Sequence, residues 1–162
     1  MDYLTASILI GSGATAVMDA WMLMRKALFG TPLANYALVG RWLGHMAQGR
    51  FRHETIARTA PLRRERLLGW SAHYITGITF AAALLAVTGP GCLQQPTLLP
   101  ALFAGILTVA PPFLRMQPGM GAGIAAASTA HPASARLQSL VTHAVFGIGL
   151  YLSASALHIL TN

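Results

Sequence analysis

The sequence predicts an all-α fold, namely an integral membrane four-helix bundle with a cytoplasmic interfacial amphipathic helix. Charged residues make up only 9% of the 162 residues, whereas an ordinary soluble domain has roughly 25%. Hydrophobic residues make up 54%, and the mean hydropathy is +0.55. These values exclude a soluble globular protein and a disordered one. We therefore expect residues 1–162 to form a single membrane domain.

Four apolar runs are long enough to be membrane spans. They are residues 4–24, 67–87, 97–114 and 137–160. The first run differs from a signal peptide because Met1-Asp2-Tyr3 supplies no basic leader and the basic pair Arg25-Lys26 follows the run. We therefore expect it to be retained as the first membrane helix.

The basic residues show how the spans are oriented. Nine of the eleven Lys and Arg residues lie in the connection 25–66, and Arg115 and Arg136 bracket the connection between spans three and four. The positive-inside rule places both connections in the cytoplasm and both termini outside. The net charge of +7 thus indicates orientation and attraction to a bilayer with anionic headgroups, and no nucleic-acid partner is expected. A specific site for a phosphate or an acidic substrate stays open as an alternative.

The connection 25–66 is too long to be a plain linker. Thr31-Pro32 has the pattern of an N-cap followed by proline at the first helical position. Apolar residues recur at helical spacing from there to Met46, which predicts a short helix in the headgroup plane. Gly40 within it would allow close packing on another helix. Pro61 is expected to start a second helix that runs into span two.

Polar residues of the two cytoplasmic connections form a candidate ligand-binding site. Arg41 and His45 are four residues apart on the predicted helix, so both can face the same ligand. The basic segment that follows adds three more candidates, and the glycine-rich second connection adds Gln117. The candidate ligand-binding residues of the two connections are Arg41, His45, Arg50, Arg52, His53 and Gln117.

Three ionisable residues lie inside the spans, where such residues are costly. Asp19, His73 and His143 are each six or seven residues from the nearest basic flank, or roughly 9–11 Å inward at ~1.5 Å per residue. Two histidines and a carboxylate suit a transition metal or a haem, and they also suit proton relay or ligand binding. Hydrogen bonds between helices are the structural alternative.

The chain resembles an uncharacterised family of small bacterial inner-membrane proteins, domain of unknown function 2938. The resemblance rests on Asn35-Tyr36, Val39-Gly40-Arg41-Trp42-Leu43-Gly44-His45, Gly49-Arg50-Phe51 with His53, Gly69-Trp70 with His73-Tyr74, Met116-Gln117-Pro118-Gly119-Met120-Gly121, and Thr142-His143 with Phe146-Gly147. It covers nearly the whole chain and implies a four-helix protein of the bacterial inner membrane. It implies no activity.

Three functions remain open on the sequence alone. The first is binding or transport of a small ligand, an ion or a lipid headgroup that enters from the cytoplasm. The second is a membrane-embedded enzyme that uses a transition metal or haem held by Asp19, His73 and His143. The third is an assembly or scaffold subunit without a site of its own. A homo-oligomer is possible under each of them, since four helices are too few to enclose a large pore.

Overall fold

The computed structural model describes residues 2–89 and 91–161. These residues are helical and contain no strand. The helices are α1 (Tyr3–Phe29), α2 (Tyr36–Met46), α3 (Glu65–Thr88), α4 (Gly91–Gln94), α5 (Leu98–Leu107), α6 (Gln117–Met120) and α7 (Pro132–Thr161), with short 3-10 turns at Ile56–Arg58 and Ile124–Ala126.

Four helical segments are long and apolar enough to cross a membrane. They are Tyr3–Phe29, Glu65–Thr88, Leu98–Met120 and Pro132–Thr161. The predicted all-α membrane fold is therefore confirmed. The helices extend beyond the apolar runs, because hydropathy marks only the part suited to hydrocarbon. The first helix continues past Arg25-Lys26 and ends where Gly30 adopts a left-handed conformation (φ 64°) and donates its N–H to the Lys26 carbonyl.

The chain separates into two compact units. Unit one comprises the described parts of 1–33, 74–108 and 140–162. Its core consists of Ala6, Ile10, Ala14, Ala81, Leu84, Leu85, Ala101, Phe146, Leu150 and Ala154. Glycines bring its helices close together, since a Cβ on Gly11 would overlap the Ile78 backbone and one on Gly105 would overlap Gly147. Small residues are the usual means by which membrane helices approach one another.

Unit two comprises 34–73 and 109–139. Its helix α2 begins at Tyr36, because the Asn35 side chain accepts the Ala37 N–H at 3.2 Å and so caps the helix. The predicted start at Thr31-Pro32 is therefore wrong, although the helix itself is confirmed. Gly40 packs on α3 as expected, since a Cβ there would overlap the Glu65 carbonyl oxygen.

The helix of the second span begins at Glu65, so the predicted start at Pro61 is also wrong. Arg64 has a positive φ of 65°, which interrupts any helix arriving from Pro61. The Glu65 carboxylate accepts the Leu62 N–H at 2.9 Å and so stabilises the turn that precedes the helix. In the third span, Pro111-Pro112 are followed by a π-helical turn over Pro112–Met116, which is a common way to accommodate lost helical donors.

Candidate functional site

A bidentate ion pair joins helices α2 and α3 in unit two. Arg41 Nε and Nη2 each donate to a carboxylate oxygen of Glu65 at 2.8 Å, and the two side chains are only 12% and 15% exposed. This hydrogen bonding to Glu65 raises the pKa of Arg41 above its ordinary value. Arg41 Nη1 also donates to the carbonyls of Ala57 and Thr59 at 3.2 and 2.9 Å. Arg41 thus holds the segment after His53 in place, and its predicted role as a ligand contact stays a prediction.

His45 lies on the same helix and is 4% exposed. Its Nε2 is 3.1 Å from the Ala60 carbonyl oxygen. Because a carbonyl only accepts, Nε2 carries the proton, and in the neutral ring Nδ1 has a lone pair. Nδ1 is buried and has no hydrogen-bond partner in the structure. Buried polar atoms normally have such a partner, so this atom marks a candidate site.

His53 lies beside His45, with the two ring centroids 5.3 Å apart and the planes tilted by 59°. Its Nδ1 is 3.2 Å from the Thr59 hydroxyl, and its Nε2 is a second buried nitrogen without a partner. The backbone N–H of His53 donates to the Gly119 carbonyl at 2.9 Å. The structure therefore brings together the predicted site residues His45 and His53. The hydrogen bond to Gly119 joins them to the glycine-rich second connection.

The second connection packs tightly on the segment that carries His53. Trp42 Nε1 donates to the Phe51 carbonyl at 3.0 Å, and a Cβ on Gly119 would run into the Trp42 indole. Gly121 has a φ of 94° and lies against the Glu54 carbonyl oxygen, where only glycine fits. The predicted site residue Gln117 begins the short helical turn α6 of this second connection, and its Oε1 is buried without a partner.

His53 lines a polar cleft of about 530 Å³. Its lining also includes Arg50, Arg52, Arg58 and Glu54, together with the hydroxyl-bearing residues Thr55 and Thr59. Arg50 and Arg52 were predicted from the sequence, whereas Arg58 was missed because it has no spacing relationship to them. The 3-10 turn at 56–58 folds the chain back and places it there.

The three intramembrane candidates each have partners. In unit one, Tyr74 Oη donates to Asp19 Oδ2 at 3.0 Å. His143 Nδ1 is 2.7 Å from Thr108 Oγ1. Since the Thr108 hydroxyl donates to the Gly105 carbonyl at 2.5 Å, it accepts from the protonated Nδ1.

In unit two, the His73 ring stacks on Tyr36 with centroids 4.1 Å apart. Within residues 2–89 and 91–161, no three His, Cys, Asp or Glu residues are grouped to hold a metal ion. A metal or haem shared by Asp19, His73 and His143 therefore stays a prediction. Tyr36 and Tyr74 were missed as partners, because an aromatic residue among apolar neighbours carries no distinguishing local signal.

Comparison with known proteins identifies a family. A family model described as a protein of unknown function, DUF2938, matches residues 8–157. No curated protein and no solved structure matches the chain. The matched range contains α2, the arginine-lined cleft and the turn that carries Gln117. Because the match extends over nearly the whole sequence, the chain belongs to the DUF2938 family.

Proposed function

We propose that this protein is a multi-pass protein of the bacterial inner membrane that binds an anionic group at its cytoplasmic side, in the cleft of residues 50–60. The group is a phosphate or carboxylate, carried either by a free small molecule or by a lipid headgroup. The single observation that carries the proposal is that Arg50, Arg52 and Arg58 line one cleft.

The charge balance of the cleft favours an anion. Three guanidinium groups line it, and Glu54 is the carboxylate among the lining residues. Guanidinium groups bind phosphate and carboxylate through paired hydrogen bonds. These bonds are directional, whereas a general attraction to lipid headgroups depends only on charge. The excess of positive charge in the cleft also raises the local concentration of an anionic ligand.

The size and chemistry of the cleft fit a small polar ligand. Its volume of about 530 Å³ lies within the range of small-molecule sites. The lining includes the Thr55 and Thr59 residues, whose hydroxyls can donate to an anion or accept from it. Such a lining suits a headgroup or a small anion better than an apolar molecule.

The Arg41–Glu65 pair supports the site by holding the segment that lines it. Arg41 holds the carbonyls of Ala57 and Thr59, so it fixes the return of the chain from Arg58 to Ala60. Because this segment is held in place, Arg58 lines the same cleft as Arg50. A preorganised site loses less conformational entropy when the ligand binds.

Binding to purified protein in a neutral detergent tests the proposal. Calorimetric titrations would use inorganic phosphate in one arm and a short-chain phosphatidylglycerol in the other, with phosphatidylcholine as the uncharged-headgroup control. The test variant is R50Q/R52Q. The matched control is R63Q/R66Q, which removes the same charge from the same connection outside the cleft lining.

We expect R50Q/R52Q to weaken binding at least roughly tenfold, as the loss of charge-assisted hydrogen bonds implies, while the control stays close to wild type. Binding in the phosphate arm identifies a free anion, and binding confined to the lipid arm identifies a headgroup. Equal weakening in the two variants would show a general electrostatic effect and would overturn a specific cleft. Absence of binding to either probe would overturn the proposal as well.

A further inference from the structure

Two neighbouring imidazole rings in unit two each have a buried nitrogen without a partner. These nitrogens are His45 Nδ1 and His53 Nε2. The rings are close, with centroids 5.3 Å apart, yet no hydrogen bond joins these two nitrogens. His53 also lines the anion cleft, but the arginines account for the anion, and an anion does not explain two buried ring nitrogens that have lone pairs.

The other nitrogen of each ring has a partner that orients the ring. His45 Nε2 donates to the Ala60 carbonyl, which leaves a lone pair on Nδ1. The Thr59 hydroxyl beside His53 Nδ1 can accept that N–H, which leaves a lone pair on Nε2. Metal-binding histidines characteristically have this arrangement, since the second ring nitrogen donates to a fixed oxygen.

The separation of the rings also fits two ligands of one ion. With metal–nitrogen distances of ~2.0–2.1 Å and a tetrahedral angle, the centroids of two coordinating imidazoles lie about 5 Å apart. The observed 5.3 Å and the 59° tilt agree with this geometry. Packing for apolar burial alone gives no reason to leave one buried nitrogen of each ring without a partner.

We propose that His45 Nδ1 and His53 Nε2 bind a transition-metal ion of the zinc, cobalt, nickel or copper class. Imidazole nitrogen is a preferred ligand for these ions, whereas magnesium and calcium prefer oxygen. Gln117 Oε1 is the candidate third ligand. It is also buried without a partner, and its turn contacts His53 through the Gly119 carbonyl.

Charge limits the affinity of this site. The nearby Arg50, Arg52 and Arg58 oppose a cation, and Glu54 is the negative residue of the adjoining cleft. Two neutral imidazoles and an amide supply no charge to offset the ion. We therefore expect micromolar affinity rather than the tight binding of a structural zinc site.

Titration of chelator-treated protein in detergent with Co²⁺ alone, and then with Zn²⁺ in competition, tests the proposal without any phosphate present. We expect one Co²⁺ per chain, with d–d absorption that Zn²⁺ abolishes. H45A and H53A should each weaken binding at least roughly tenfold, as the loss of one imidazole ligand implies. H131A is the control, because His131 is an exposed residue of a turn.

Equal Co²⁺ binding by H45A/H53A and by H131A would overturn the proposal. A second measurement covers the case in which H45A fails to fold. In the wild-type protein, Zn²⁺ should protect His45 and His53, but not His131, from diethyl pyrocarbonate, as mapped by mass spectrometry. No difference in protection would contradict the proposal. An unchanged affinity in Q117A would overturn the assignment of Gln117.

The metal site and the anion cleft can fail separately. R50Q/R52Q should lose phosphate or lipid binding and still bind Co²⁺. H45A should lose Co²⁺ binding, and its response to phosphate is measured independently in metal-free buffer.

Discussion

Arg41 and Glu65 share two hydrogen bonds of 2.8 Å, although they are 24 residues apart in the sequence. The same carboxylate accepts the Leu62 N–H, and the same guanidinium donates to the carbonyl of Thr59. This pair therefore joins α2, the start of α3 and the segment that lines the anion cleft. It is the central polar contact of unit two.

The first prediction concerns this pair. R41K should loosen the segment 56–60, because a lysine ammonium cannot make the paired contacts of a guanidinium. Loss of hydrogen bonds to a charged group predicts a decrease of about 1.5–3 kcal/mol in the free energy of unfolding. Thermal unfolding in detergent and hydrogen exchange of residues 56–60 measure both effects. R63K is the control, and faster exchange in both variants would contradict a specific role for Arg41.

The second prediction compares two glycines on one helix. A Cβ on Gly40 would overlap the Glu65 carbonyl oxygen, which is backbone, whereas one on Gly44 would meet the flexible side chain of Leu62. G40A should therefore destabilise the protein by about 1–3 kcal/mol, the usual cost of overpacking. G44A should cost clearly less. Melting temperatures of the two variants provide the measurement, and equal losses would show that α2 does not pack on α3 as described.

The third prediction concerns Asp19 and Tyr74 in unit one. Because Tyr74 Oη donates to Asp19 Oδ2 at 3.0 Å, the effects of Y74F and D19A should be coupled. Hydrogen bonds between membrane helices average about 0.6 kcal/mol in such double-mutant cycles, with a maximum near 1.7. The cycle is measured by unfolding in mixed micelles, with Y151F replacing Y74F as the control. Additive effects of Y74F and D19A would contradict the hydrogen bond.

The fourth prediction concerns Thr108, which is 8% exposed and accepts from His143 while donating to Gly105. T108V removes the acceptor and should lower the free energy of unfolding by about 1–3 kcal/mol, the cost of a buried polar group without its partner. T108S keeps the hydroxyl and should retain most of the stability. The two variants are compared by thermal unfolding, and a T108V protein at least as stable as T108S would contradict a stabilising role for the hydroxyl.

The sequence predicted several residues of the candidate site. Arg50, Arg52 and His53 stand together in a glycine-punctuated basic segment, and the structure places them on one cleft. Arg58 and Thr59 carry no comparable pattern. Their position depends on the turn at 56–58 and on the carbonyls held by Arg41.

The sequence by itself determined the class of this protein. Scarce charge and four apolar runs require helices, because a backbone in hydrocarbon must satisfy its own hydrogen bonds. It also predicted one point of close packing, since Gly40 lies where a side chain would meet the backbone of α3.

Only the tertiary structure decided which polar groups meet. Asp19 is hydrogen-bonded to Tyr74, 55 residues away, and His45 lies beside His53 with one buried nitrogen of each ring unpartnered. It also moved the helix starts to Tyr36, where the Asn35 side chain caps the helix, and to Glu65, which follows the positive φ of Arg64. Hydropathy and spacing describe each segment alone, whereas hydrogen bonds between segments depend on angles and distances that exist only once the helices have packed.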